Sequence, residues 1–186
     1  MLQDQTFKSL EDLQLEAGAT DFENCRFESC DFSNKDLSDL NFMDCLFKDC
    51  DLGNSTIQRT GFKNVKFDNC KMIGLHFSDV NPILLKLTFT ECQINYSSFY
   101  NLELINTPFI RCLLHEVDFV GAALSNSIFD ECDLRGSQFE NTDLRNVDFT
   151  TSIGIDLDLT VNNLTGAKFS LGHAQSLLTQ FGILIG

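Results

Sequence analysis

A large apolar residue recurs at every fifth position from Phe22 to Phe77, beginning Phe22, Phe27, Phe32, Leu37, Phe42. The phase is interrupted after Val80, resumes at Phe89, runs unbroken to Phe149, lapses at Gly154 and returns at Leu159, Leu164 and Phe169. Two positions ahead of each central residue stands a smaller one, as in Cys132-Asp133-Leu134-Arg135-Gly136. Each unit of five thus directs two side chains inward and three outward. An amphipathic helix needs apolar residues three and four apart, and a half-buried strand alternates along its run. A period of five fits neither. It predicts a short extended segment followed by a turn, repeated so that successive coils stack and bury their apolar pairs against one another. Turn-forming Asn24, Asn34, Asn64, Asn69, Asn126 and Asn141 fall at outward positions, where corners are expected.

The cysteines fix the number of units per coil. All eight occupy the smaller inward position; Cys30, Cys50 and Cys70 are spaced by 20 residues, as are Cys92, Cys112 and Cys132. Four units therefore make one coil. The step from Cys70 to Cys92 is 22 residues, so the interruption adds two residues and then restores the column. Phe27, Phe47 and Phe67 continue into Phe89, Phe109, Phe129, Phe149 and Phe169 with the same offset. The expected organisation is an N-terminal cap over 1–19 built on Phe7, Leu10, Leu13 and Leu15, a first block of coils over 20–79, a bulge or loop over 80–88 headed by Asn81-Pro82, and a second block over 89–169. In the remaining segment, 170–186, Leu171, Ala174, Leu177, Leu178 and Phe181 follow helical spacing, and Ile183, Leu184 and Ile185 leave apolar surface for a cap or a dimer contact.

At 186 residues the chain suits one body, and 16 of its 18 Phe sit at the central position of a unit. The first ten residues lack a basic stretch followed by an apolar run, and no segment approaches the roughly 18 apolar residues of a membrane span, so a cytoplasmic protein is expected. The cysteines show no C-x-x-C pairing and point inward, which makes them small buried hydrophobes rather than metal ligands or disulfide partners. His76, His115 and His173 share no motif, and no P-loop, dinucleotide fingerprint or Ser/His/Asp arrangement is present. The reading is of a chain with no catalytic residue, cofactor or metal.

Charge narrows the partners. The 27 acids and 13 bases give a net charge of −14, which excludes a generic basic nucleic-acid binder and disfavours an anionic membrane. On the face of the phenylalanine column, Glu28, Asp49, Asp68, Glu91, Asp130, Glu131 and Asp148 point outward and form the candidate acidic interaction face, interrupted by Arg26, Lys48, Lys66 and Arg111. Coils rising about 4.8 Å each make a rod of roughly 35 to 40 Å. Duplex DNA of that length carries on the order of 20 negative charges, a density comparable to that of the chain.

The units, small residue, Asp or Asn, Leu or Phe, then two variable positions, resemble the pentapeptide-repeat family over about residues 20 to 169. That resemblance implies an all-β fold, a right-handed quadrilateral β-helix, here with a short C-terminal helical cap. The tail, Ala174-Gln175-Ser176-Leu177-Leu178 followed by Phe181-Gly182-Ile183-Leu184-Ile185-Gly186, is similar to that of the quinolone-resistance (Qnr) group, as is Leu164-Thr165-Gly166-Ala167-Lys168-Phe169. The group's properties imply a DNA mimic that binds a type II topoisomerase, DNA gyrase or topoisomerase IV, and a homodimer joined through Leu177, Leu178, Phe181, Ile183 and Ile185. Members from Gram-negative bacteria carry two projecting loops; here Asn81, Pro82 and Lys86 mark one candidate partner loop. The alternative is a scaffold or regulatory module that displays a flat β surface to another protein.

Overall fold

The computed structural model describes residues 1–9 and 20–183. Every strand pairs in parallel with the strand one coil away. Strands β1 (Leu2–Gln3), β3 (Asp21–Glu23), β5 (Asn41–Met43) and β7 (Gly61–Lys63) form one sheet in that order. The second, longer sheet stacks β2 (Thr6–Phe7), β4 (Arg26–Glu28), β6 (Leu46–Lys48), β8 (Val65–Asp68), β9 (Leu87–Thr90), β10 (Pro108–Ile110) and β11 (Ile128–Asp130). Parallel bridges along Asp31, Asp51, Lys71, Gln93, Leu113, Asp133 and Ile153, and along His76, Ser98, Asp118 and Gln138, make the third and fourth faces. The fold is the four-sided β-solenoid that the spacing predicts, closed by α1 (Leu171–Thr179).

Most corners turn because the second residue after the central one enters the left-handed region, as at Asn24 (φ 52°), Asn34 (φ 56°) and Asn141 (φ 52°). Asparagine tolerates that conformation better than most residues. The corner side chains also stack: Asn64 Nδ2 donates to Asp44 Oδ1 at 2.6 Å and Asn69 Nδ2 to Asp49 Oδ1 at 2.7 Å, each across one coil.

The interior is a stack of rings. On the second face Phe27 and Phe47 stack at 4.6 Å between centroids, Phe67 and Phe89 at 5.6 Å and Phe109 and Phe129 at 4.8 Å. The pairing Phe67↔Phe89 carries the two-residue offset. The thiols of Cys25, Cys30, Cys45, Cys50, Cys70, Cys92 and Cys132 each donate to the carbonyl of a central residue 23 or 25 positions back, as Cys50 does to Phe27 O at 3.3 Å and Cys92 to Phe67 O at 3.5 Å. Thr60, Ser97, Ser127 and Ser152 place hydroxyls in the same role, for example Ser152 to Phe129 O at 2.7 Å. Where the small inward position holds Cys, Ser or Thr, its compact donor satisfies a buried carbonyl; elsewhere Val65, Val117, Ala122 and Val147 fill it by packing alone. All eight cysteines are free and buried, and burial pushes the Cys45 thiol up to about 12.

Two boundaries differ from those expected, and the lapse at Gly154 has a structural cause. Phe7, assigned to a cap, is the first ring of the second-face column: it pairs with Phe27 and stacks on it at 5.2 Å, while Leu2 pairs with Phe22. The coils therefore start before residue 20; Leu10, Leu13 and Leu15 lie outside the described residues. The irregular segment is shorter than 80–88, since Val80 is buried, Asn81 bridges Gly61, and Leu87 and Thr88 already belong to β9. At Gly154 the central position turns outward with φ 74°, where a Cβ would lie 2.8 Å from the Arg135 backbone nitrogen, and Ile155 and Leu157 fill the interior instead.

Candidate interaction surfaces

The register distributes the charge unevenly over the four faces. The seven acids singled out above lie on the second face, but so do Lys8, Arg26, Lys48, Lys66, Arg111 and Lys168. Several are held in pairs: Arg26 with Glu28 at 2.9 Å, Arg111 with Glu91 at 2.8 Å and Lys168 with Asp148 at 3.3 Å. Asp49 accepts from Asn69, and Asp130 from Thr151 Oγ1 at 2.8 Å. The second face is close to neutral.

The negative charge concentrates on the first and fourth faces and includes the edge where they meet. Asp4, Asp21, Glu23, Asp44, Glu103 and Asp143 on the first face and Asp36, Asp39, Asp79, Asp118, Glu140 and Asp158 on the fourth stand against Arg59, Lys63 and Arg145, with Lys35 and Lys86 at the flanking corners. Arg59 is fixed on Asp39 by two bonds of 2.7 and 2.6 Å, and that hydrogen bonding holds the Asp39 carboxyl below its usual range. Counting by fives along these columns, rather than along the ring column alone, exposes this edge in the sequence.

The third face carries a compact cluster around His115, a residue that belongs to no motif in the sequence. Asp133, 7% exposed, accepts from Arg135 Nε at 2.9 Å and lies 2.9 Å from His115 Nε2. The guanidinium, and then the imidazole, hold its carboxyl down to about 2. The nearly buried carboxylate ties an exposed Arg135 to His115 of the preceding coil, so the group reads as a structural clamp.

The bulge stands on the first face. Lys86 N donates to Phe62 O at 3.1 Å and Val65 N to Lys86 O at 2.9 Å, so the six residues from Pro82 to Leu87 replace the four of an ordinary corner. Ile83 and Leu84 are 72% and 65% exposed, and Leu84 takes φ 59°, which is rare for a branched apolar residue. Shallow hollows of about 230 Å³, touching Met43, Phe62 and Ile83, and about 220 Å³, touching Leu84, Glu103 and Ile105, flank the ridge.

In the tail, Ser170 caps α1 by accepting from His173 N at 3.2 Å. Leu177 alone in the helix is fully buried, Leu178 is partly buried, and Leu171, Phe181 and Ile183 are exposed. Leu184 and Ile185 lie outside the described residues. Among the described residues no group of His, Cys, Asp and Glu has a metal-binding arrangement, and no helix is long and apolar enough to cross a membrane.

Parallel coils of four five-residue units, each filled by a small and a large inward residue, define a pentapeptide-repeat solenoid. The pentapeptide repeat region profile matches residues 20–99 and 83–177, and the chain belongs to that family. Among solved structures it is similar to full-length QnrB1, a plasmid-mediated fluoroquinolone resistance protein, at 24% identity and a TM-score of 0.50, over 98% of this chain and 97% of that one. It is also similar to HetL, a pentapeptide repeat protein involved in heterocyst differentiation regulation from the cyanobacterium Nostoc sp. strain PCC 7120, at 16% identity and a TM-score of 0.59, over 91% of this chain and 87% of that one. No curated protein matches the chain.

Proposed function

We propose that this protein is a non-catalytic, cytoplasmic rod that presents a DNA-like acidic edge to a type II topoisomerase, DNA gyrase or topoisomerase IV, and so modulates it or shields it from quinolone-type poisons. The observation that carries this reading is the edge between the first and fourth faces, where Asp21, Asp39, Asp79, Glu103, Glu140 and Asp143 follow the coil spacing against few bases, on two faces that together carry twelve carboxylates. Charges spaced by a rigid backbone, in a rod about as long as a dozen base pairs, satisfy a basic groove without unwinding or chemistry. The interior of the described coils, filled by stacked rings, supports a role without catalysis. The exposed Leu171, Phe181 and Ile183 support a tail-to-tail dimer, which would double the length of the acidic edge.

Supercoiling by purified gyrase, with and without a fluoroquinolone, tests the reading. The expected result is a dose-dependent change that D36K/D79K/E140K, folded as judged by circular dichroism, no longer produces. Reversal of Glu131 on the near-neutral face is expected to leave it in place. No effect at a large molar excess removes the topoisomerase reading. A regulatory scaffold for a different protein, the role class of HetL, then stands in its place.

A further inference from the structure

We infer that the second face is a self-association surface, on which two copies of the chain dock face to face with their rods antiparallel. A chain of net charge −14 repels its own copies. The third face sets Asp31, Asp51, Glu116, Asp133 and Asp156 against Lys71 and Arg135, and the first and fourth are more acidic still. The second face alone balances acids with bases, and its middle carries charge only at the paired corner residues Glu91 and Arg111: Thr88, Thr90, Pro108 and Ile110 follow one another, with Ile128 48% exposed beside them.

The order of its residues fits a two-fold axis through β9. Such an axis sets β8 of one copy opposite β10 of the other, and β6 opposite β11. Residues at matching positions in their units then meet. Lys48 faces Asp130, Leu46 faces Ile128, and Arg26 faces Asp148, each twice by symmetry. Lys48 and Lys66 form no ion pair within the chain among the described residues. Thr88 and Thr90 meet their own copies on the axis. Like charges oppose each other at the corner row, Asp49 against Glu131 and Glu91 against itself, but Asp49 is bonded to Asn69 and Glu91 to Arg111.

Seven coils at about 4.8 Å and a strip about four residues wide give roughly 450 Å² per copy. The total of roughly 900 Å² lies at the lower limit for specific association, so the contact is weak and weakened further by salt. It is distinct from any tail contact and independent of the topoisomerase reading.

Sedimentation equilibrium of the full chain and short-span bismaleimide crosslinking of T90C test it; the eight native thiols are buried and do not compete. The expected results are a crosslinked dimer with T90C and none with T56C on the fourth face, association weakened at least tenfold in K48E, and recovery in K48E/D130K. Equal crosslinking at both sites, no change in K48E, or no recovery in the double variant overturns the proposal. So does a T90C chain that stays uncrosslinked at high concentration and low salt, including one whose dimers all depend on the tail.

Discussion

The two blocks of coils keep one ring column in common and place the second differently. Before the bulge, Phe22, Phe42 and Phe62 occupy the first face and meet the shared column edge-on, as Phe42 meets Phe47 at 5.1 Å and 73°. After it, the first face holds Leu104, Leu124 and Leu144, and the second set of rings moves to the fourth face, starting at Phe77 just ahead of the bulge and continuing as Phe99, Phe119 and Phe139. Phe99 meets Phe109 at 6.0 Å and 83°, again edge-on. The handover passes through the tilted pair Phe62–Phe77, next to the corner that the bulge enlarges. A cross-section filled by about two rings and two aliphatic side chains is conserved, while the column carrying the second ring is not. Close packing fixes the sum of volumes and lets its distribution vary.

The surfaces differ in the same sense. Between Leu2 and Pro82 no described large apolar side chain is strongly exposed, whereas Ile83, Leu84, Tyr96, Ile105, Ile128 and Ile153 all are. The first block wears a polar coat; the second offers contact surface.

The ring exchange predicts a crossed pattern of stability losses, and this is the largest effect. On the fourth face Phe119→Ala is expected to cost about 3–5 kcal/mol and more than Ile57→Ala; on the first face Phe42→Ala should exceed Leu124→Ala. Urea denaturation of the four variants measures it, and equal losses down each column would break the comparison.

Next comes the third face. Asp133 is nearly buried, while its first-block counterpart Asp51 is one-third exposed and paired with Lys71 at 2.9 Å. Asp133→Ala is expected to cost about 2 kcal/mol and Asp51→Ala under about 1. Because the folded Asp133 carboxyl sits near 2, below its usual 3.8, its contribution is complete above about pH 4 and is lost as pH falls toward 2. Acid titration of the wild type and Asp133→Ala should therefore converge at the low end.

Smaller effects separate the inward donors. Cys92→Ser keeps a donor for the Phe67 carbonyl, as Ser97 does for Met72, and is expected to change stability by less than about 1 kcal/mol. Cys92→Ala removes it and should cost about 1–2 kcal/mol. Least of all, deletion of Ile83 and Leu84 restores the 20-residue spacing and releases the left-handed Leu84. Thermal stability should stay within about 1 kcal/mol of wild type, and a large loss would make the bulge a structural part of the junction.

Columns were legible in the sequence because each inward side chain is constrained twice, by its place in a unit and by the residue one coil away. Phe7 was legible too, standing 20 before Phe27, but fourteen residues without a large apolar residue in phase separate it from Phe22 and obscured the pattern. The acidic edge was harder to see. Charge on a solenoid is a property of a face, and the acids flanking the ring column drew attention to the one face whose bases cancel them. The clamp on Asp133 depends on a bond between neighbouring coils, His115 to Asp133, which adjacency along the chain does not reveal. Leu84 carries no turn signature at all; its conformation follows from six residues spanning a corner built for four.

The cysteine column has a practical corollary. Six thiols, from Cys30 to Cys132, lie one per coil along a single interior line, each shielded by the coils on either side. In a solenoid whose units touch only their neighbours, opening spreads inward from the termini. The chain thus carries its own depth gauge: a thiol reagent applied under native conditions reads, from which of these positions it marks and how fast, how far the rod has unzipped.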